Sequence, residues 1–105
     1  MTRIDSIRKL LAASPDDTFL LYSLGMELMT AGRAVEAAEA FERVLRIDPD
    51  YLAAYGQLGR ALEAAGDRDA AVERYRAGLA VAQRQGDHHA ADRFRLWLAA
   101  AGGGA

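Results

Sequence analysis

The chain repeats itself. Shifting it by 34 positions superposes Leu24-Gly25 on Leu58-Gly59, and with them Leu28 on Leu62, Gly32 on Gly66, Ala37 on Ala71, Phe41 on Tyr75 and Leu45 on Leu79. A period of that length belongs to helix-turn-helix units that cannot bury their apolar faces alone and must stack on a neighbour. No strand pattern accompanies it. The expected fold class is therefore all-α, built of antiparallel helix-turn-helix repeats with about six helices in all.

Punctuation along the chain marks those helices. Ile4, Ile7, Leu10 and Leu11 recur at helical spacing until Ser14-Pro15-Asp16-Asp17 closes the first helix and offers caps for the second. The second runs from about Asp17 to Ala31 and stops at Gly32, a residue suited to the left-handed conformation past a helix C-terminus. The third, Ala34 to Ile47, ends at Asp48-Pro49-Asp50, where proline cannot continue it. The fourth covers Leu52 to Ala65 and ends at Gly66, with Asp67 placed to cap a fifth that runs to Gln85. Gly86-Asp87 repeats the stop and cap, and His88 to Ala101 form the sixth. A disordered tail is expected over 102–105.

Composition narrows the function classes. With 105 residues, 51% hydrophobic content and 2 Pro, the chain can build one core of modest size. A net charge of -2 supplies no basic field, so nucleic acid is not an expected partner. Without cysteine there is no disulfide framework, thiolate nucleophile or cysteine metal site. No stretch has the length and apolarity to span a bilayer, and Met1-Thr2-Arg3-Ile4-Asp5-Ser6 lacks the apolar core of a signal peptide, so a cytoplasmic protein is expected. Basic residues that are almost all Arg, and small residues that are mostly Ala, point to a GC-rich bacterial genome.

Spacing also says which faces meet. Leu21, Leu24, Gly25 and Leu28 share one face of the second helix, and Ala37, Phe41 and Val44 share one face of the third. Gly25 and Ala37 are small where the axes approach, and Phe41 fills the space beside them. Tyr55, Leu58, Gly59 and Leu62 face Ala71, Tyr75 and Gly78 by the same logic. Gly25→Leu is expected to overpack the crossing by about 1–3 kcal/mol.

These positions resemble the tetratricopeptide repeat. Its pattern sets a bulky residue, Leu-Gly, a bulky residue, Ala, an aromatic, Ala and Pro at fixed offsets. Residues 18–51 match with Leu21, Leu24, Gly25, Leu28, Ala37, Phe41, Val44 and Pro49, and residues 52–85 with Tyr55, Leu58, Gly59, Leu62, Ala71 and Tyr75. In the second copy Gly78 stands where the family prefers Ala, and Gln83 replaces the terminal Pro, which lets the fifth helix run long. The resemblance implies a single domain over 1–101. Residues 1–15 would be a degenerate half repeat with Leu10, Leu11 and Pro15 in register, and residues 87–101 a capping helix with Phe94, Trp97, Leu98 and Ala101 as its apolar stripe. Trp97 is expected in the core.

The resemblance further implies a concave groove lined by the leading helix of each repeat, holding a peptide or partner helix. Its positions here are Phe19, Tyr22, Ser23, Met26, Met29 and Thr30, then Ala53, Gly56, Gln57, Arg60, Glu63 and Ala64. The residues alone reach the same stripe. With Leu21, Leu24 and Leu28 turned inward, Phe19, Tyr22, Met26 and Met29 form a second apolar line on that helix. Tyr22 offers a broad face with a polar tip, and methionines mould to irregular apolar ligands. Family members that clamp a partner's terminal carboxylate present Lys and Asn at offsets where Tyr22, Met26 and Gln57 stand, so the clamp is absent. Arg60 is either a ligand-pairing cation or a solvated charge near Glu63 and Glu27.

No catalytic constellation is present. His88 and His89 are adjacent and diverge on a helix, while His88 with Asp92 supplies two ligands where zinc needs three or four. Ser6, Ser14 and Ser23 have no histidine or acid arranged with them, and no Gly-rich loop opens a helix. The expectation is a non-enzymatic scaffold for protein-protein interaction, without cofactor, metal, nucleic acid or membrane. It would bind a protein or peptide through Phe19, Tyr22, Ser23, Met26, Met29, Gln57, Arg60 and Glu63. The alternative is a structural homodimer formed through the same stripe. On this reading truncating Tyr22 and Met26 leaves stability nearly intact.

Overall fold

Six α-helices form along residues 1–102, the part of the chain that the computed structural model describes. They are α1 (Arg3–Ala13), α2 (Thr18–Thr30), α3 (Ala34–Ile47), α4 (Leu52–Ala64), α5 (Arg68–Gln85) and α6 (His88–Ala100). No strand occurs among the described residues, and the fold is all-α as expected. Gly102 takes a left-handed φ of 81° just past α6, and the rest of the expected tail lies outside the described residues.

The expected stop-and-cap signals act as one device used three times. Gly32, Gly66 and Gly86 adopt φ of 76°, 90° and 71°. In the first, Gly32 N–H donates to Met29 O at 3.0 Å and Arg33 N–H reaches back to Leu28 O at 2.9 Å, which satisfies two carbonyls the helix end would orphan. Gly66-Asp67 and Gly86-Asp87 repeat that pair of bonds. Asp67 Oδ1 then accepts from Ala70 N–H at 3.2 Å and Asp87 Oδ1 from Ala90 N–H at 3.0 Å, so these two stops also start the next helix, whereas Arg33 at the first makes no side-chain cap bond. At Asp48-Pro49-Asp50 the turn is held differently, with the Tyr55 hydroxyl donating to Pro49 O at 2.6 Å.

Each helix packs on its neighbours in sequence, so the molecule is a linear stack measuring 43 × 28 × 19 Å. The pairs α2–α3 and α4–α5 cross at Gly25 and Gly59, where a methyl group would lie 2.5 Å from the Phe41 ring and 2.2 Å from that of Tyr75. Leu21, Leu28, Leu58, Phe41, Val44 and Tyr75 are the largest fully buried side chains. Burying each of the leucines contributes about 1.5–3 kcal/mol. Gly78, the departure from the family's Ala, has a direct cause. A methyl there would meet the Phe94 ring at 2.5 Å and Tyr55 Cβ at 2.8 Å, so glycine is what seats α6.

The two ends of the stack differ. With no proline at Gln83, α5 reaches 18 residues against 14 for α3. Its extra turn leans over the α3–α4 turn, where Arg84 pairs with Asp50 and Gln85 Nε2 donates to Asp50 O at 3.0 Å. At the other end α1 fully buries only Leu11. It is otherwise held by half-buried Ile4 and Ile7 and by exposed pairs from Arg3 to Glu27 and Arg8 to Glu36, each worth a few tenths of a kcal/mol.

Candidate functional site

Turning Leu21, Leu24 and Leu28 into the α2–α3 interface leaves the opposite side of α2 to Phe19, Tyr22, Ser23 and Met26. Phe19 is 61% exposed and Met26 38%. Tyr22 is half-buried: its ring stacks on Tyr51 at 5.4 Å and meets Phe41 edge-on at 5.5 Å. Burial first, and then the Tyr51 phenol beside it, push the Tyr22 hydroxyl above its ordinary pKa, while the Gln57 amide and the Arg93 charge pull the other way. Those ring contacts correct one expectation. Tyr22 is part of the packing as well as the surface, so truncating it costs stability that truncating Phe19 or Met26 does not.

Two hollows flank Tyr22. One, about 700 Å³, opens between the start of α1 and α2, lined by Ile7, Phe19, Leu20, Ser23, Met26 and Tyr51. The other, about 430 Å³, opens between α2, α4 and α6, lined by Leu52, Gly56, Gln57, Arg93, Phe94 and Trp97. Of the residues expected at the site, Phe19, Tyr22, Ser23 and Met26 are thus gathered in the first hollow, and Gln57 joins Tyr22 in the second. Met29 is half-buried against the core. Arg60 and Glu63 are exposed on α4 and line neither hollow.

Of the acidic residues expected near Arg60, both have other partners. Glu27 pairs with Arg3 at 2.9 Å, and the Glu63 carboxylate accepts the Tyr75 hydroxyl at 2.5 Å. Arg60 forms no ion pair among the described residues. No group of three or more metal-ligating side chains occurs among them either.

Three contributors were not anticipated. Tyr51 precedes α4, and the turn at Pro49 delivers its ring onto Tyr22; the turn was legible, the direction of the ring was not. Arg93 lies over the Trp97 ring at 5.0 Å, a cation-π contact. Trp97, expected in the core, packs against it but is only half-buried: it touches Tyr75 at 5.6 Å and Phe94 at 5.4 Å, and its ring forms a wall of the hollow. Gly56 is the missed signal. A methyl there would stand 2.6 Å from the indole, and a glycine inside a helix asks what lies against it.

Comparison with known proteins agrees with this architecture. Residues 28–99 match the family model described as tetratricopeptide repeat. A TPR repeat-containing protein of Pseudomonas aeruginosa is 37% identical over 95 residues, 90% of each chain. Among solved structures, a Bordetella parapertussis protein superposes with a TM-score of 0.83 at 26% identity, over 97% of this chain and 89% of that one. A tetratricopeptide repeat domain protein of Salinibacter ruber superposes at 0.77 with 30% identity, over 85% and 90%. By repeat pattern, helix stacking and sequence alike, the chain belongs to the tetratricopeptide-repeat family.

Proposed function

We propose that this protein is a noncatalytic bacterial scaffold, acting in the cytoplasm, that binds a peptide or helical segment of a protein partner along the face formed by α2, α4 and α6. Tetratricopeptide repeats generally mediate protein-protein interaction, and no helix among the described residues is long and apolar enough to cross a membrane. One observation carries the finer reading: Phe19 and Met26 expose apolar surface beside Tyr22 and Tyr51, along a hollow that no segment among the described residues fills. In this reading α2–α3 and α4–α5 are the two repeats of one domain over 1–101, with α1 and α6 as its ends. The stacked helices hold Phe19, Tyr22, Ser23 and Met26 in place before a ligand arrives, with Gln57 on the neighbouring helix, which lowers the ordering cost of binding. Met29, Arg60 and Glu63 complete the same face at its margins.

The test is a Phe19→Ser, Met26→Ser double variant. Both side chains are exposed, so unfolding free energy should change by under about 1 kcal/mol. Native protein immobilised in lysate of its host should retain a partner that the variant does not. Light-scattering mass over a wide concentration range is read in parallel. A native dimer that the variant splits would show the face occupied by a second copy and replace scaffold by structural homodimer. Equal retention by native and variant protein would remove the face from function altogether.

A further inference from the structure

We infer that the segment this face accepts is acidic toward α6, with carboxylate side chains beside the apolar residue that enters the hollow at Trp97; this rests on the groove reading above. The chain as a whole is slightly acidic, yet two guanidinium groups on the α4–α6 part of this face are not ion-paired among the described residues. Glu27 holds Arg3, while Glu63 accepts the Tyr75 hydroxyl and Asp87, which lines the smaller hollow, accepts Ala90 N–H at the start of α6; these two carboxylates keep their charge but are turned to donors of the chain itself. Arg93 and Arg60 form no ion pair among the described residues. Arg93 lines the smaller hollow with its guanidinium over Trp97, which leaves the donor edges of the fork open to a carboxylate. Arg60 stands on α4 one turn beyond Gly56 and Gln57, which line the same hollow, so its charge borders it. The hollow beside these cations, about 430 Å³ and walled by Leu52, Phe94 and Trp97, has room for one aliphatic or aromatic side chain.

The charges sit on two helices, so a pair of carboxylates matches them. A chain terminus supplies one, and the positions where the family resemblance would set a clamp for a terminal carboxylate carry Tyr22, Met26 and Gln57. The source is therefore Asp or Glu side chains within the segment. The opposite end of the face, around Phe19 and Met26, is apolar with its one ion pair closed, which gives the ligand a direction: apolar over α2, acidic over α4 and α6.

A random peptide display library selected on the protein tests this, with the consensus then synthesised with a blocked N-terminus and an amidated C-terminus and its affinity read by fluorescence anisotropy. The expected consensus sets Asp or Glu beside an aliphatic or aromatic residue. Its affinity should fall about fivefold for Arg93→Gln and comparably for Arg60→Gln, remain unchanged for Arg46→Gln on α3, and weaken with added salt. A consensus without acidic residues, or one indifferent to Arg93→Gln and Arg60→Gln, overturns the inference while leaving the groove reading intact if Phe19→Ser, Met26→Ser still abolishes binding. A peptide that binds only with its terminal carboxylate free overturns the side-chain source. Identical selections on native protein and on the Phe19→Ser, Met26→Ser variant remove the groove reading, and this inference with it.

Discussion

The two repeats share a backbone plan but set opposite chemistry on it. At five equivalent positions on their leading helices the first repeat carries Phe19, Tyr22, Ser23, Met26 and Met29, and the second Ala53, Gly56, Gln57, Arg60 and Glu63. Behind them Phe41 gives way to Tyr75. The difference follows from what lies next to each. Beside the second repeat stands α6, whose Trp97 needs the volume that a side chain at residue 56 would take. In the first repeat no ring among the described residues claims that volume, so Tyr22 can occupy it and stack on Tyr51. Leading helices that look periodic in outline thus present an apolar surface on α2 and a more polar, indole-walled one on α4.

Erasing the difference at residue 56 should have the largest effect. Gly56→Tyr installs the first repeat's residue in the second and drives a ring into the indole, so urea unfolding should show a loss of about 3 kcal/mol, with α6 displaced. Trp97→Ala alone should cost about 2 kcal/mol, below the usual cost for a buried Trp because this one is half-exposed. Combined, the two changes should cost less than their sum, since the space vacated by the indole admits the new ring. Strict additivity would mean that Gly56 and Trp97 do not compete for one volume.

Tyr22→Ala tests the other half and should cost about 1–2 kcal/mol through its lost contacts with Phe41 and Tyr51. Tyr22→Phe should keep most of that stability. If Tyr22→Ala were as mild as Met26→Ala, the stacking on Tyr51 would be incidental and the first half of the groove would be surface alone.

How far this was legible in the sequence depends on whether a feature is local or a meeting of distant residues. The helix ends were readable because Gly at φ > 0 and Asp at an N-cap solve backbone problems within a few residues. The interior of each repeat was readable because Gly25 and Phe41, or Gly59 and Tyr75, must fit whichever partner lies outside the unit. The half of the site near α6 was hidden for the complementary reason. The longer α5 breaks the 34-residue register, so the repeat gives no offset by which to align Trp97 and Arg93 with Gly56. Glu63 shows the same limit. Its position on the groove side was legible, but its bond to Tyr75 depends on a hydroxyl that the first repeat, with Phe41, does not have.

That hydroxyl supplies the smallest contrast, and pH exposes it. Burial, and then the hydrogen bond and charge of Glu63, push the Tyr75 phenol well above its ordinary range, with Arg60 opposing. The unfolded chain loses this proton near pH ~10, whereas the folded chain keeps it to higher pH. The stabilising contribution is therefore complete below pH ~10 and is lost as the pH climbs toward the folded value, because the unfolded state then binds fewer protons than the native one. Tyr75→Phe brings the second repeat to the chemistry of the first at this site. At neutral pH it should cost about 0.5–1 kcal/mol, since it removes one hydrogen bond whose acceptor can turn to water. Above pH ~10 its stability should fall less steeply than that of the native protein, which also carries raised phenols at Tyr22 and Tyr55. Glu63→Gln should soften the same alkaline slope to a smaller extent, because it removes the carboxylate but leaves the burial. Urea midpoints measured for the three proteins between about pH 8 and about pH 11 decide the matter. Parallel curves would mean that the Tyr75 phenol titrates alike in the folded and unfolded chains, and that the two repeats differ at this position in shape alone.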